Sequence, residues 1–197
     1  RYDGVWCSIG LHPNHTCEQE FFDESELPPE ASPTPKIKTR CESFDVNFYR
    51  ALAKSSKKVV AIGECGLDFY RIPETANREA VIEKQKNEVR LQFDLASELG
   101  LPVIIHCRDA HAAQQALIQS FLDVGKLARR GVVHCFTGTL EEARAYIDLG
   151  FLISFTGIIT FPPRKNDPST SSGQAVLTPL QSVVQELPLT SIMIETD

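Results

Sequence analysis

The amino-acid sequence predicts an α/β fold whose parallel sheet closes into a barrel. Three observations predict it. Short apolar runs alternate with amphipathic helical stretches along the 197 residues. The runs are continuously apolar, as in strands buried on both faces. Four of them lead into a residue able to ligate a metal: Glu64, His106, His134 and Asp197. Ligands at the ends of four strands converge if the strands form a ring. A flat sheet spreads them, because neighbouring strands lie about 4.8 Å apart. A TIM-type (β/α)8 barrel, with its site at the carboxyl ends of its strands, is therefore favoured over an open doubly wound sheet. About six of the eight barrel strands are expected in this chain.

The elements follow in order. Val5–Leu11 reads as a strand that ends at His12-Pro13. Residues 17–42 are rich in Glu, Pro, Ser and Thr and read as a surface loop or insertion with no packed element. Phe44, Phe48, Ala51 and Leu52 repeat at helical spacing, with Ser43 placed to cap. Val59–Gly63 is a strand entering Glu64. A helix from about Asn77 to Leu99 carries Ile82, Val89, Phe93 and Ala96 on one face, and Gly100 stops it. Pro102–Ile105 enters His106, and a helix spans about Asp109 to Leu122. Gly131–Val133 enters His134, and Thr139 and Glu142 form a capping box for a helix closed by Gly150. Phe151–Phe155 is a further strand, followed by a polar loop from Pro162 to Gly173. Thr178, Pro179 and Gln181 open a last helix, and the final strand ends at Asp197.

Composition is that of an ordinary globular domain, 42% hydrophobic and 23% charged. No apolar run reaches the roughly 20 residues that span a bilayer. No membrane partner is expected. The expected location is cytoplasmic, with the nucleus as the alternative. A net charge of −6 argues against broad, non-specific nucleic-acid binding. It is compatible with a nuclease, because bound cations reverse the local field. None of the six cysteines forms a C-x-x-C pair, which argues against a thiolate zinc site. Cys65, Cys107 and Cys135 each follow a candidate ligand and are expected to point away from it. The chain begins at Arg1 and stops at a strand-end aspartate. It is expected to be an internal piece of a longer protein, one domain over residues 1–197 that is incomplete at both ends.

Two carboxylates and two imidazoles make a mixed nitrogen and oxygen set, suited to magnesium, manganese, zinc or iron. A metal there lowers the pKa of a bound water, and a nearby carboxylate takes its proton. Asp197 is the expected base. Glu64 can bridge two ions about 3.5–4 Å apart, the usual clamp for phosphodiester hydrolysis.

The run Gly63-Glu64-Cys65-Gly66-Leu67-Asp68-Phe69-Tyr70 resembles the signature of the TatD family of metal-dependent deoxyribonucleases. Four further blocks, in order, resemble the rest of its pattern: Gly10–Pro13, Ile105–Ala110, Val133–Gly138 and Ile194–Asp197. The resemblance implies a TIM-barrel hydrolase of the amidohydrolase superfamily that uses Mg²⁺, with Zn²⁺ or Mn²⁺ as alternatives. It implies 3′–5′ exonuclease or endonuclease action on a DNA substrate. Carried over by motif, Glu64 bridges two metals, His106 and His134 bind the second and Asp197 binds the first. The catalytic pair is then Asp197 and Glu64. The family's His-x-His pair has no counterpart here, so the piece alone is expected to lack full activity.

Arg108, His12 and Asp68 are the expected substrate contacts. Asp68 is also weighed as a partner orienting a histidine. Phe69 and Tyr70 are weighed as base-stacking aromatics against simple packing. Arg71, Arg164 and Lys165 lie on the same expected face. His15 and His111 are expected as surface or loop histidines. A monomer is the expected state. Two other functions fit the same frame: an amide or ester hydrolase such as a D-aminoacyl-tRNA deacylase, and a catalytically impaired barrel acting as a binding module.

Overall fold

A computed structural model describes residues 2–21, 37–161 and 177–196. Six strands form one parallel sheet: β1 (Cys7–Ile9), β4 (Val59–Asp68), β5 (Val103–Arg108), β6 (Gly131–Val133), β7 (Leu152–Phe155) and β8 (Ile192–Ile194). They lie side by side in the order of the chain. That unbroken order is the order of a barrel wall; a doubly wound sheet reverses direction at a switch point. Five helices pack around the sheet: α1 (Val46–Ser55), α2 (Arg78–Leu99), α3 (His111–Leu122), α4 (Leu140–Asp148) and α5 (Pro179–Glu186). The core between sheet and helices holds Ile62, Leu67, Ile105 and Ile153 from strands, against Phe93, Leu95 and Tyr146 from helices.

Helix ends follow the local chemistry. Asn77 caps α2 through its side chain, and Gly100 ends it in the left-handed conformation. Both expected capping boxes form, Thr139 with Glu142 and Thr178 with Gln181. Asp45, rather than Ser43, caps α1, accepting from the N–H groups of Asn47 and Phe48. A charged acceptor favours the positive end of a helix. The expected inner face of α1 is not buried: Phe48 and Leu52 are exposed, and the helix is anchored by Phe44, just before it, and Tyr49.

Two expectations need correction. Residues 17–42 do not lack pairing, because β2 (Glu20–Phe21) and β3 (Ile37–Lys38) pair as a short antiparallel ribbon. β4 does not stop at Gly63 but runs on to Asp68, paired with β5 as far as Asp68 opposite Arg108. Its register shifts between Ile62 and Cys65. Gly66 permits the close approach beyond that shift. A Cβ there would lie 1.9 Å from the His106 carbonyl oxygen, and its φ of +151° is one that side chains disfavour. Asp197 and the stretch from Pro162 to Gly173, including Arg164 and Lys165, lie outside the described residues.

The inner face of α2 carries polar groups as well as the expected apolar ones. Gln85, Glu88 and Gln92 are buried. Gln92 accepts from the Leu11 N–H at 2.8 Å and donates to the Leu11 carbonyl at 3.0 Å. Gln85 makes the same double bond to Asp68, 3.0 Å in each direction. Glu88 accepts from the Phe44 N–H at 2.7 Å. One helix thus supplies hydrogen bonds to backbone groups at the ends of β1 and β4, which must otherwise be buried unpaired. Those two ends carry His12 and Asp68.

Candidate metal centre

The carboxyl ends of the parallel strands converge on one cluster. His12 follows β1 and opens a short 3₁₀ turn, its Nδ1 accepting from the Asn14 N–H. Glu64 lies within β4 and His106 within β5. His12, Glu64 and His106 each offer a ligand atom, and these atoms lie within 4.8 Å of one another, the only such trio among the described residues. His12 Nε2 is 3.5 Å from Glu64 Oε1, His106 Nδ1 is 2.9 Å from the same oxygen, and the two imidazoles stand 3.2 Å apart. His134, one residue beyond β6, turns its Nε2 to within 3.7 Å of Glu64 Oε1. His12, expected at the substrate, therefore stands among the ligand atoms.

Asp68 is not placed to meet a substrate. Its side chain is 0% exposed, with Oδ2 3.1 Å from His106 Nε2 and Oδ1 accepting from the Arg71 N–H at 2.8 Å. The continuation of β4 carries it beside His106. Arg108 lines the cavity above the cluster, and its guanidinium lies 3.9 Å from the centre of the Tyr70 ring. Tyr70 is exposed, whereas Phe69 packs against the core. Arg71 lines the same cavity. His15 stays part-exposed beside Glu42. His111 is buried at the start of α3, its Nδ1 3.2 Å from the Tyr146 hydroxyl, which corrects the surface expectation for it.

A residue not singled out from sequence completes the arrangement. Glu195 follows β8, and its Oε2 lies 2.5 Å from His134 Nδ1. Its Oε1 accepts from the Cys135 N–H and the Ser154 hydroxyl, both at 2.6 Å. Its sequence signals were a strand-end position, shared with Asp197, and a place inside the Ile194–Asp197 block.

The electrostatics follow from these contacts. Burial alone would raise the pKa of Glu64, but hydrogen bonds from His106 and His12 more than reverse this and hold it well below the usual carboxylate range. Burial likewise opposes ionisation of Asp68 and Glu195, and their histidine contacts outweigh it, lowering both. Burial pushes His106 down, yet Asp68 and Glu64 together raise it above its ordinary value. For His12 burial wins, and its pKa falls. Glu64 and Asp68 thus flank the His106 ring, one at each nitrogen. Of the three thiols next to candidate ligands, Cys65 and Cys107 are buried, and burial pushes Cys107 up to about 12. Cys135 departs from the expectation. It lies beyond β6, has a left-handed φ of +44°, and lines the cavity.

The cavity over the cluster has a volume of about 450 Å³ and also takes in Asn14, Thr137, Thr156 and Phe161. Asn14 Oδ1 is buried without a hydrogen-bond partner. A larger cavity of about 810 Å³ lies by the N-terminal ends of α3 and α4 and along α5, but the ligand trio does not border it. The donor set, rather than cavity size, marks the site. Two imidazoles and a carboxylate, with a third imidazole adjacent, fit a divalent ion.

Comparison with known proteins agrees with this frame. The family described as TatD related DNase matches residues 1–197. A relative from Cronobacter sakazakii named 3′-5′ ssDNA/RNA exonuclease TatD is 34% identical over the whole chain, which covers 58% of that protein. Escherichia coli YcfH, described as an uncharacterized metal-dependent hydrolase, is 36% identical over 79% of the chain and 50% of its own length. The crystal structure of the TatD homologue YJJV from Escherichia coli superposes with a TM-score of 0.68 at 27% identity, covering all of this chain and 59% of that one. A TatD family hydrolase from Entamoeba histolytica gives 0.62 at 28% identity, over 96% and 49% of the two chains. The chain spans about half to three-fifths of the length of the curated relatives it matches. With every residue inside the family match, and a mixed histidine and carboxylate cluster at the strand ends, the chain belongs to the TatD related DNase family.

Proposed function

We propose that the protein carrying this chain hydrolyses phosphodiester bonds of DNA with divalent metal ions, releasing nucleotides from 3′ ends or cutting internally. The observation that supports this most is the His12, Glu64 and His106 trio at the strand ends, with His134 Nε2 3.7 Å from Glu64. The names of relatives, an exonuclease on single-stranded DNA or RNA and a metal-dependent hydrolase, point the same way.

The proposed centre holds two ions. Glu64 would serve both, His106 and His134 would hold one and Asp197 the other, while His12 stands beside Glu64. Mg²⁺ is the proposed ion, with Mn²⁺ or Zn²⁺ as substitutes acceptable to imidazole. Bound ions would acidify a water and neutralise charge on the phosphoryl oxygens. Asp197 takes the proton of the attacking water. The water oxygen bonds to phosphorus as the P–O3′ bond breaks, and O3′ leaves with a proton from solvent. Arg108, with its guanidinium over the Tyr70 ring, binds a substrate phosphate through its forked donors. Asp68 fixes the ring of His106 from below.

The test is release of nucleotides from end-labelled single-stranded DNA by the intact protein, with Mg²⁺ and then with EDTA. Mg²⁺-dependent release that Glu64→Gln abolishes is expected. Metal-independent release, or none under any divalent ion, refutes the proposal.

A further inference from the structure

We infer that Glu195 is the positioning residue of His134: it fixes the neutral ring with its proton on Nδ1, so that the Nε2 lone pair faces Glu64. The role as ligand rests on the metal-centre reading above; the positioning itself does not.

The Glu195 carboxylate is held at both oxygens. Oε1 accepts from the Cys135 N–H at 2.6 Å and from the Ser154 hydroxyl at 2.6 Å. Oε2 is 2.5 Å from His134 Nδ1. Three elements converge on it: the residue after β8, Ser154 of β7 and the turn after β6. The Glu195 N–H donates to the Phe155 carbonyl at 3.1 Å, continuing the pairing of β8 with β7 and fixing where its side chain starts. The carboxylate is therefore held before any ligand arrives.

Its chemistry then sets the histidine. An ionised carboxylate only accepts hydrogen bonds, so the neutral imidazole must carry its single proton on Nδ1. Nε2 is left with its lone pair, 3.7 Å from Glu64 Oε1. Among described residues, His134, Cys135 and Thr196 line the cavity while Glu195 does not. Glu195 thus stands behind the histidine. Carboxylates in this relation to a ligating histidine fix its tautomer and raise its basicity.

The Cys135 N–H makes the inference sharp. As a fixed donor it demands an oxygen at the Oε1 position. In Glu195→Gln the carboxamide must keep its oxygen there and turn its NH₂ toward His134 Nδ1. Nδ1 then accepts, the ring proton moves to Nε2, and the lone pair facing Glu64 is lost while side-chain shape is kept.

The experiment is ¹⁵N NMR of histidine side chains in the intact protein, freed of metal with EDTA at a pH where the rings are neutral. His134 is assigned by its loss in His134→Gln. In the wild type, His134 is expected with a protonated Nδ1 and an unprotonated Nε2; in Glu195→Gln the two exchange. A wild-type ring protonated on Nε2 overturns the inference without need of any variant, and so does an unchanged tautomer in folded Glu195→Gln. Mn²⁺ titration by calorimetry adds a second readout. Weakening of about 10–100-fold in Glu195→Gln is expected when the tautomer reverses. Reversal with Mn²⁺ affinity unchanged in both Glu195→Gln and His134→Gln supports Glu195 as the positioning group and refutes His134 as a ligand.

Discussion

Replacing Gln92 by methionine tests how the site is held. Gln92 is fully buried and makes two hydrogen bonds to the Leu11 backbone, 2.8 Å from its N–H and 3.0 Å to its carbonyl. Leu11 is itself buried, so water cannot replace the lost partners. A methionine of similar volume leaves no large cavity. The cost is therefore that of two orphaned backbone groups, about 1–3 kcal/mol each, or about 2–6 kcal/mol together. The lower half of that range is expected, because a thioether is cheaper to bury than an amide. At about 2–4 °C per kcal/mol for a domain of this size, 2–4 kcal/mol lowers Tm by about 4–16 °C. Leu11 precedes His12, so Mn²⁺ affinity should fall as well. Urea unfolding of the intact protein followed by two probes measures the loss, provided the transitions coincide. A loss below about 1 kcal/mol, with Mn²⁺ affinity intact, refutes the view that α2 holds the end of β1.

Gly66→Ala should cost about 1–3 kcal/mol from overpacking, because its Cβ would lie 1.9 Å from the His106 carbonyl oxygen; thermal unfolding reads this directly. Arg108→Ala should raise KM for DNA by up to about tenfold, the loss of a partly solvated charged contact, and leave Mn²⁺ affinity unchanged. Metal-free stability should depend on pH from both sides. His106 is raised, so its contribution is present below its ordinary 6.5 and is lost as pH climbs through its folded value. Glu64 and Asp68 are depressed, so theirs is present above their ordinary 4.5 and 3.8 and is lost as pH falls further. His12 is lowered and subtracts stability below 6.5, narrowing the window. Urea midpoints in EDTA should therefore peak in mildly acidic to neutral solution, and a midpoint rising steadily to pH 9 counts against the His106 contacts. Metal affinity should rise with pH over the same range, because binding displaces the His106 proton.

Much of the frame was legible because it rests on local chemistry. Asn77, Gly100, Thr139 with Glu142, and Thr178 with Gln181 mark helix ends by hydrogen bonds within a few residues. Glu64, His106 and His134 stood out because each follows an apolar run. What was hidden depends on distant partners. β4 continues through Gly63-Glu64-Cys65-Gly66, which reads locally as a break, because β5 supplies the pairing. Gln85, Glu88 and Gln92 share the helical spacing of the apolar face, but their polarity reads as solvent-facing; they meet backbone groups of other elements instead. The two-residue pairing of β2 with β3 leaves no periodic trace. The sequence offers Asp68 both as a substrate contact and as a histidine partner, and only the extended β4 sets it beside His106. Glu195 sits two residues from Asp197 in sequence, and its contacts to Ser154, Cys135 and His134 come from distant elements.

The central claim is that these strand ends form a divalent-metal centre. Calorimetric titration of the intact, EDTA-treated protein with Mn²⁺, beside Glu64→Gln and His106→Gln, tests it most directly. The account predicts saturable binding by the wild type that weakens sharply in both variants, since Glu64 Oε1 is the atom shared by His12, His106 and His134. Equal binding by all three proteins, with the variants folded, would contradict it.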